Sequence, residues 1–210
     1  MNKNYEKIVS LVCNTLVEAG STFREDKKKA YKRAIASEDN EKAKWVLETV
    51  LANAEAAEKN HSPLCDDTGI PHIVLEIGPD AAVTGRMLDA IREGIAKGLR
   101  KLPGRPMGIM GDDCRRIDQS GGLNPDSAGV EPAPILIRRC QDNVIRLHIL
   151  MFGGGPAIRA KTYRVFHKHN MQVVLDEIVN WATEGVAQLG CSPCTSVSYT
   201  HLTLPTNSLV

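Results

Sequence analysis

Apolar residues recur every three or four positions near the start of the chain, where Tyr5, Ile8, Val9, Val12, Leu16 and Val17 form one stripe across residues 4–19. This spacing follows the helical turn and predicts an amphipathic helix that Gly20 ends. Residues 22–36, TFREDKKKAYKRAIA, favour helix but are dominated by charge, so they read as a solvated helix rather than a basic docking patch. Ser37 and Asp39 are placed to cap a longer helix reaching Ala57, with Trp45, Val46, Val50 and Leu51 on one side. After a sharp break, IPHIVLEIG sets Ile73, Leu75 and Ile77 in alternation with Val74 and Glu76, the period of a strand. Helical spacing returns over residues 80–102 through Val83, Met87, Ile91, Ile95 and Leu99, until Pro103 stops it.

Residues 103–132 are rich in Gly, Pro, Asp and Asn, and a loop of that length inside a domain is usually functional or mobile. Two strands follow, APILIRR and NVIRLHILM, and the polar CQDN between them suits an antiparallel hairpin. Helical segments are expected around Ile158–Phe166 and Gln172–Leu189. There is no internal repeat or low-complexity tract. The predicted class is α+β, helix-rich, with a small, mainly antiparallel sheet.

A formal net charge of +1 provides no field to draw nucleic acid or an acidic membrane surface, so neither is an expected partner. The N-terminal stretch mixes charge into its apolar positions, unlike a secretory signal, and no segment holds enough consecutive apolar residues to span a bilayer. The expected location is cytoplasmic, where the six cysteines stay reduced and serve as core filler, catalytic groups or metal ligands. Cys13, beside the first apolar stripe, reads as core.

The last residues, VSYTHLTLPTNSLV, break from this patterning. Val197–Thr206 coincide codon by codon with a translation of a DNA-library adapter. Residues 197–210 are therefore expected to be a non-native tail, and residues 1–196 an incomplete domain.

Three constellations could carry chemistry. In HSPLCDDTGIP, Cys65 abuts Asp66 and Asp67 in a turn-forming context. The thiol could be buried with the aspartates as caps, or it could bind metal with a carboxylate beside it. A nucleophilic cysteine fits least, because two adjacent carboxylates raise a thiol's pKa. Cys191 and Cys194, in LGCSPC, could be a redox dithiol, half of a zinc site, or iron–sulfur ligands. A second C-x-x-C is lacking and the pair closes a helix rather than opening one, so the cluster reading survives best. In MFGGGPAIR, three glycines between strand and helix form either a plain turn or a loop whose backbone N–H groups receive an anion. His167 and His169 sit at i and i+2, on different sides of a helix, and read as solvated or capping groups.

Taken in order, CDDTG at 65–69, GRP at 104–106, GGG at 153–155 and GCSP at 190–193 resemble the iron–sulfur hydro-lyases of the class I fumarase and tartrate dehydratase α-subunit family. The resemblance spans nearly all of residues 1–196 and implies the cluster-binding domain of that family. It implies a [4Fe–4S] cluster with Cys65 and Cys191 as two of its ligands and a third ligand further downstream. Asp67 would be the catalytic acid–base group. Asp66, Arg105, Gly154 and Gly155 would bind a small 2-hydroxy dicarboxylate such as malate or tartrate. The family further implies an oligomer and a β-subunit or fused C-terminal domain that completes the site, so this chain alone is expected to be inactive. Asp66 stands where the family usually has glutamine, and Phe152 where a lysine often precedes the glycines. Both departures remove positive or neutral polar character from an anion site and leave the substrate open. A dithiol oxidoreductase using Cys191 and Cys194, or a non-catalytic cluster scaffold, are the alternatives.

Overall fold

The computed structural model describes residues 3–102, 104, 107–130, 132–154 and 163–188, in two compact units divided between Phe152 and Gly153. The first unit opens with α1 (Lys3–Ser21), α2 (Glu25–Ser37) and α3 (Glu41–Asn60). It continues with β1 (Thr68–Ile77), α4 (Gly85–Lys101), the short α5 (Asp113–Asp118), a 3-10 turn at Ser127–Gly129, β2 (Leu136–Arg139) and β3 (Ile145–Gly153). The helix-rich α+β class is borne out.

The apolar stripe of α1 is buried as its spacing requires: Val9, Val12, Cys13 and Leu16 are all inside, so Cys13 is core. On α4 the buried face is Ala90, Ile91, Gly94, Ile95, Gly98 and Leu99, and the Thr84 hydroxyl caps the helix by accepting from the Met87 N–H. The two helices meet through Gly94 and Gly98, which lie one helical turn apart. A Cβ on Gly94 would stand 2.6 Å from Val12 Cβ and 2.8 Å from the Val9 carbonyl oxygen. Val12, Leu16, Ile91, Ile95, Leu99 and Leu102 then share one buried cluster with Ile73 and Leu75 of β1, and Ile145, Leu147, Ile149 and Met151 of β3 pack against it. The architecture of this unit is thus a helix pair on one face of a sheet.

The sheet order is β2-β1-β3. β1 runs parallel to β2, with Val74 opposite Leu136 and Ile77 opposite Arg139. β3 runs antiparallel to β1, since Gly78 bonds Val144 at one end while His72 lies against Phe152 at the other. The expected hairpin of β2 and β3 does not form, because β1 lies between them. The CQDN segment is an arch over the end of β1. The Cys140 N–H donates to the Ile77 carbonyl at 3.0 Å, the Gly78 N–H to Val144 at 2.8 Å, and the Asp80 N–H to Asn143 Oδ1 at 3.2 Å. Gly78 lies directly beneath the arch, where a Cβ would come 2.2 Å from the Asp142 carbonyl oxygen. Burial explains the order: β1 hides every second residue, including Ile73 and Leu75, whereas all four residues of β2 are exposed, as befits an edge.

Other expectations are corrected. Asn40, not Ser37 or Asp39, caps α3, its Oδ1 accepting from Lys42 and Ala43 N–H, and Ser37 is the last residue of α2. Trp45 and Val46 are exposed, because α3 buries its small residues Ala54 and Ala57 instead. The expected loop after Pro103 holds local structure among its described residues. It carries α5, an antiparallel bridge between Ile109 and Leu123, and a bidentate ion pair from Arg100 to Asp126 with a shortest distance of 2.7 Å.

The second unit contains α6 (Met171–Ala187), capped by Asn170 Oδ1, which accepts from the Gln172 N–H, and Trp181 stacks on Tyr163 with ring centres 4.0 Å apart. Of the expected helix at Ile158–Phe166, residues 163–166 are not helical and 158–162 lie outside the described residues. His167 and His169 sit in a turn before α6, exposed and edge-to-face, rather than on a helix. The expected tail, 197–210, lies outside the described residues, and no helix among those described is long and apolar enough to cross a membrane.

Candidate active site

Cys65 through Thr68 forms one β-turn, closed by the Thr68 N–H donating to the Cys65 carbonyl at 3.0 Å. Its mount is set by the ends of two helices. The Leu64 N–H donates to the Gly20 carbonyl at the end of α1, at 3.0 Å, and Asn53 Nδ2 of α3 donates to the Leu64 carbonyl at 3.2 Å. His61, in the left-handed region at φ 50°, ends α3, and the Ser62 N–H returns to the Ala57 carbonyl. The turn then runs into β1, whose residues Gly69 and Pro71 are already buried. On this hydrogen-bonded base Cys65 and Asp66 are exposed and Asp67 is half-buried. The Cys65 thiol donates weakly to Asp66 Oδ1 at 3.7 Å.

Gly104 lies against this turn. A Cβ there would come 2.5 Å from the Thr68 carbonyl oxygen and 3.7 Å from the Pro63 ring. The GRP step thus starts beside the cysteine turn although 35 residues lie between Thr68 and Gly104. At the same end of the sheet, Phe152 packs edge-to-face on His72, with ring centres 4.6 Å apart. Burial lowers the His72 pKa, so this imidazole is neutral at pH 7. Phe152 is the residue before the three glycines, and Gly154 directly follows β3. Toward the opposite end of the outer sheet face, Arg146 and His148 bond Glu76, and these hydrogen bonds, that of Arg146 foremost, hold the Glu76 carboxyl below its ordinary range.

Three of the residues singled out from the sequence, Arg105, Gly155 and Cys191, lie outside the described residues, as does Cys194. Cys65, Asp66 and Asp67 come together because they are contiguous. Cys114 is exposed on α5, and Cys140 sits in the arch, its thiol donating to the Asp142 carbonyl at 3.3 Å. Among the described residues no group of three or more His, Cys, Asp or Glu side chains could hold a metal ion. An exposed thiol on a braced turn nevertheless fits a single ligand of a cluster whose other ligands come from elsewhere. The anchoring roles of Gly20, Asn53 and Gly104 were missed by sequence reasoning. The one available signal was Gly104 itself, a glycine beside Pro103 with no evident turn to make.

The family model described as fumarate hydratase (Fumerase) matches residues 9–199, and the chain belongs to that family. A protein of Methanocaldococcus jannaschii with the provisional name L(+)-tartrate dehydratase subunit alpha is 27% identical over 190 residues, covering 90% of this chain and 64% of that protein. A Geobacillus stearothermophilus protein provisionally named class I fumarate hydratase is 24% identical over 156 residues, covering 74% of this chain and 28% of that protein. The chain therefore spans less than two thirds of the length of either relative.

Proposed function

We propose that the protein is the α-part of a hydro-lyase that reversibly removes water from a small 2-hydroxy dicarboxylate such as malate or tartrate, using a [4Fe–4S] cluster. The observation that carries this reading is the Cys65–Asp67 turn itself: a thiol and two carboxylates fixed to the ends of α1 and α3, with the segment that leads to Arg105 seated against it. Membership of the fumarate hydratase family supports it.

Cys65 and Cys191 would hold the cluster. When bound, such a cluster supplies an open iron that acts as a Lewis acid toward a carboxylate and a hydroxyl. The chain's own residues do the rest. Asp67, half-buried in the turn that carries the thiol, moves the proton next to the carboxylate. Arg105 receives a substrate carboxylate through a planar fork of donors. Gly154 and Gly155 offer backbone N–H groups to an anion, and Asp66 adds a carboxylate that biases the site toward particular substituents. A β-subunit or fused C-terminal domain completes the site, as the word alpha in the name of the archaeal relative suggests, and the assembly is an oligomer, all in the cytoplasm.

The test is anaerobic reconstitution of the whole protein with iron and sulfide, followed by fumarate hydration and tartrate dehydration assays. Cys65→Ser should lose the visible absorption of the cluster. Asp67→Asn should keep it while losing about 10²–10⁴-fold in kcat, the usual contribution of a positioned acid–base group. Iron-free protein with full hydro-lyase activity would refute the proposal.

A further inference from the structure

The sheet is covered unevenly. Ile73 and Leu75 of β1 lie in the buried cluster and the apolar residues of β3 pack against it, but none of the four residues of β2 joins it. Ile137 stands in register with Leu75, so its side chain is on the helix side of the sheet, yet it is 64% exposed while Leu75 is fully buried. A groove of about 350 Å³ opens beside it, lined in part by Ile77, Pro79, Ala81, Ile137 and Arg139.

The backbone edge of β2 is open as well. The Cys140 N–H turns toward β1, onto the Ile77 carbonyl, and strand alternation then points the N–H and carbonyl groups of Ile137 and Arg139 away from β1. Among the described residues β2 is the last strand on that side, so these groups meet no further ladder. The edge is also cationic. Glu76, opposite Arg138 in register, is already bonded to Arg146 and His148, and among the described residues neither Arg138 nor Arg139 has an ion pair. Leu136 and Arg138 share one face of β2, Ile137 and Arg139 the other, so both faces read apolar first and cationic second. A strand laid antiparallel along this edge matches that order when two adjacent carboxylates precede two apolar residues. A second copy does not match it, because β2 against β2 would crowd four guanidiniums into one short ribbon.

We propose that β2 is a docking edge for one further strand, supplied by another protein chain. The backbone of that strand bonds to Ile137 and Arg139, its two carboxylates face Arg138 and Arg139, and its apolar residues cover Leu136 and Ile137. The surface belongs to the fold and stands independently of the hydro-lyase reading.

The probe is a blocked hexapeptide, Thr-Glu-Glu-Val-Ile-Thr, beside a twin with lysine at both glutamate positions. Amide hydrogen exchange in the 210-residue chain is followed at Ile137 and Arg139, with Leu75 as the core reference. Saturating acidic peptide should slow exchange at Ile137 and Arg139 roughly threefold or more and leave Leu75 unchanged. Leu136 and Arg138, whose N–H groups already face β1, should change less, and the lysine twin should protect nothing. Arg138→Gln with Arg139→Gln should weaken the acidic peptide about fivefold or more. Ile137→Pro removes an N–H that β1 does not use and should abolish the protection at Arg139. Absence of protection by the acidic peptide, or equal protection by the twin, would overturn the proposal. So would dimerisation of the native chain that buries the same amides. Self-association confined to the double glutamine variant, with no peptide bound by the native chain, would make the arginines guards against edge pairing and likewise overturn it.

Discussion

Replacing Gly94 by alanine tests how tightly the helix pair holds the sheet. Alanine is the better helix former by about 1 kcal/mol, so an unobstructed site would be stabilised. Gly94 is obstructed on the α1 side by Val12 Cβ at 2.6 Å, the Val9 carbonyl oxygen at 2.8 Å and Val12 Cγ1 at 2.9 Å. To restore ordinary contact, α1 and α4 must separate by roughly 1 Å, a gap that forfeits a quarter to a half of each dispersion well along the seam. Overpacking of this kind costs about 1–3 kcal/mol, and after the propensity gain a net loss of roughly 1–2 kcal/mol remains. At Gly98 the nearest atoms are Leu16 Cβ at 3.0 Å, Leu16 Cδ2 at 3.1 Å and the Cys13 carbonyl oxygen at 3.2 Å, all relieved by a shift of a few tenths of an ångström, so the propensity gain offsets the crowding and Gly98→Ala should fall near zero. Nothing lies within 4 Å of a Cβ at Gly85, and there alanine should be neutral or stabilising by a few tenths of a kcal/mol. Urea denaturation of the three variants, compared through their midpoints at equal slope, should rank Gly94→Ala below Gly98→Ala below Gly85→Ala. Gly94→Ala as stable as Gly85→Ala would refute the close-approach account. Because the Gly20 carbonyl at the end of α1 holds the Leu64 N–H, the same variant should also loosen the cysteine turn.

Leu75→Ala, at a fully buried position of the central strand, should cost about 2–5 kcal/mol in the same urea assay, and a loss under 1 kcal/mol would mean that the core lies elsewhere. Asn40→Ala removes the acceptor for two backbone N–H groups at the start of α3 and should cost about 1 kcal/mol, whereas Ser37→Ala and Asp39→Ala should not. Burial lowers the folded-state pKa of His72 below its ordinary 6.5, so the unfolded chain takes up the proton first. Stability should therefore fall as pH drops below about 6.5, and His72→Phe should flatten that fall in a pH series of urea midpoints; parallel curves would contradict the burial argument. Glu76, held below its ordinary 4.5 by hydrogen bonds from Arg146 and His148, contributes in the same sense at lower pH. Its stabilisation is present above about pH 4.5 and lost as pH falls through the lowered value, so Glu76→Gln should be the less stable form only on the neutral side.

The local elements were legible in the sequence because each depends on spacing along the chain. The stripe of α1, the alternation of β1 and the periodicity of α4 each bury one face, and a run of side chains reveals its own period. The contiguous turn at Cys65–Asp67 was legible for the same reason, and the family followed from four short motifs in order. Neighbours across space were not legible. Whether β3 pairs with β2 or with β1 depends on which strand has the most buried surface, and a short polar linker can make a hairpin or arch over a third strand at equal contour length. Asn40 displaced Ser37 and Asp39 as a cap because α2 itself runs through Ser37. Gly104 was legible as the first residue of the GRP motif, but its contact with Thr68 was not. Residue types and their periods fix what each segment can bury; only the folded backbone decides which segments meet, since close approach is a property of two chains at once.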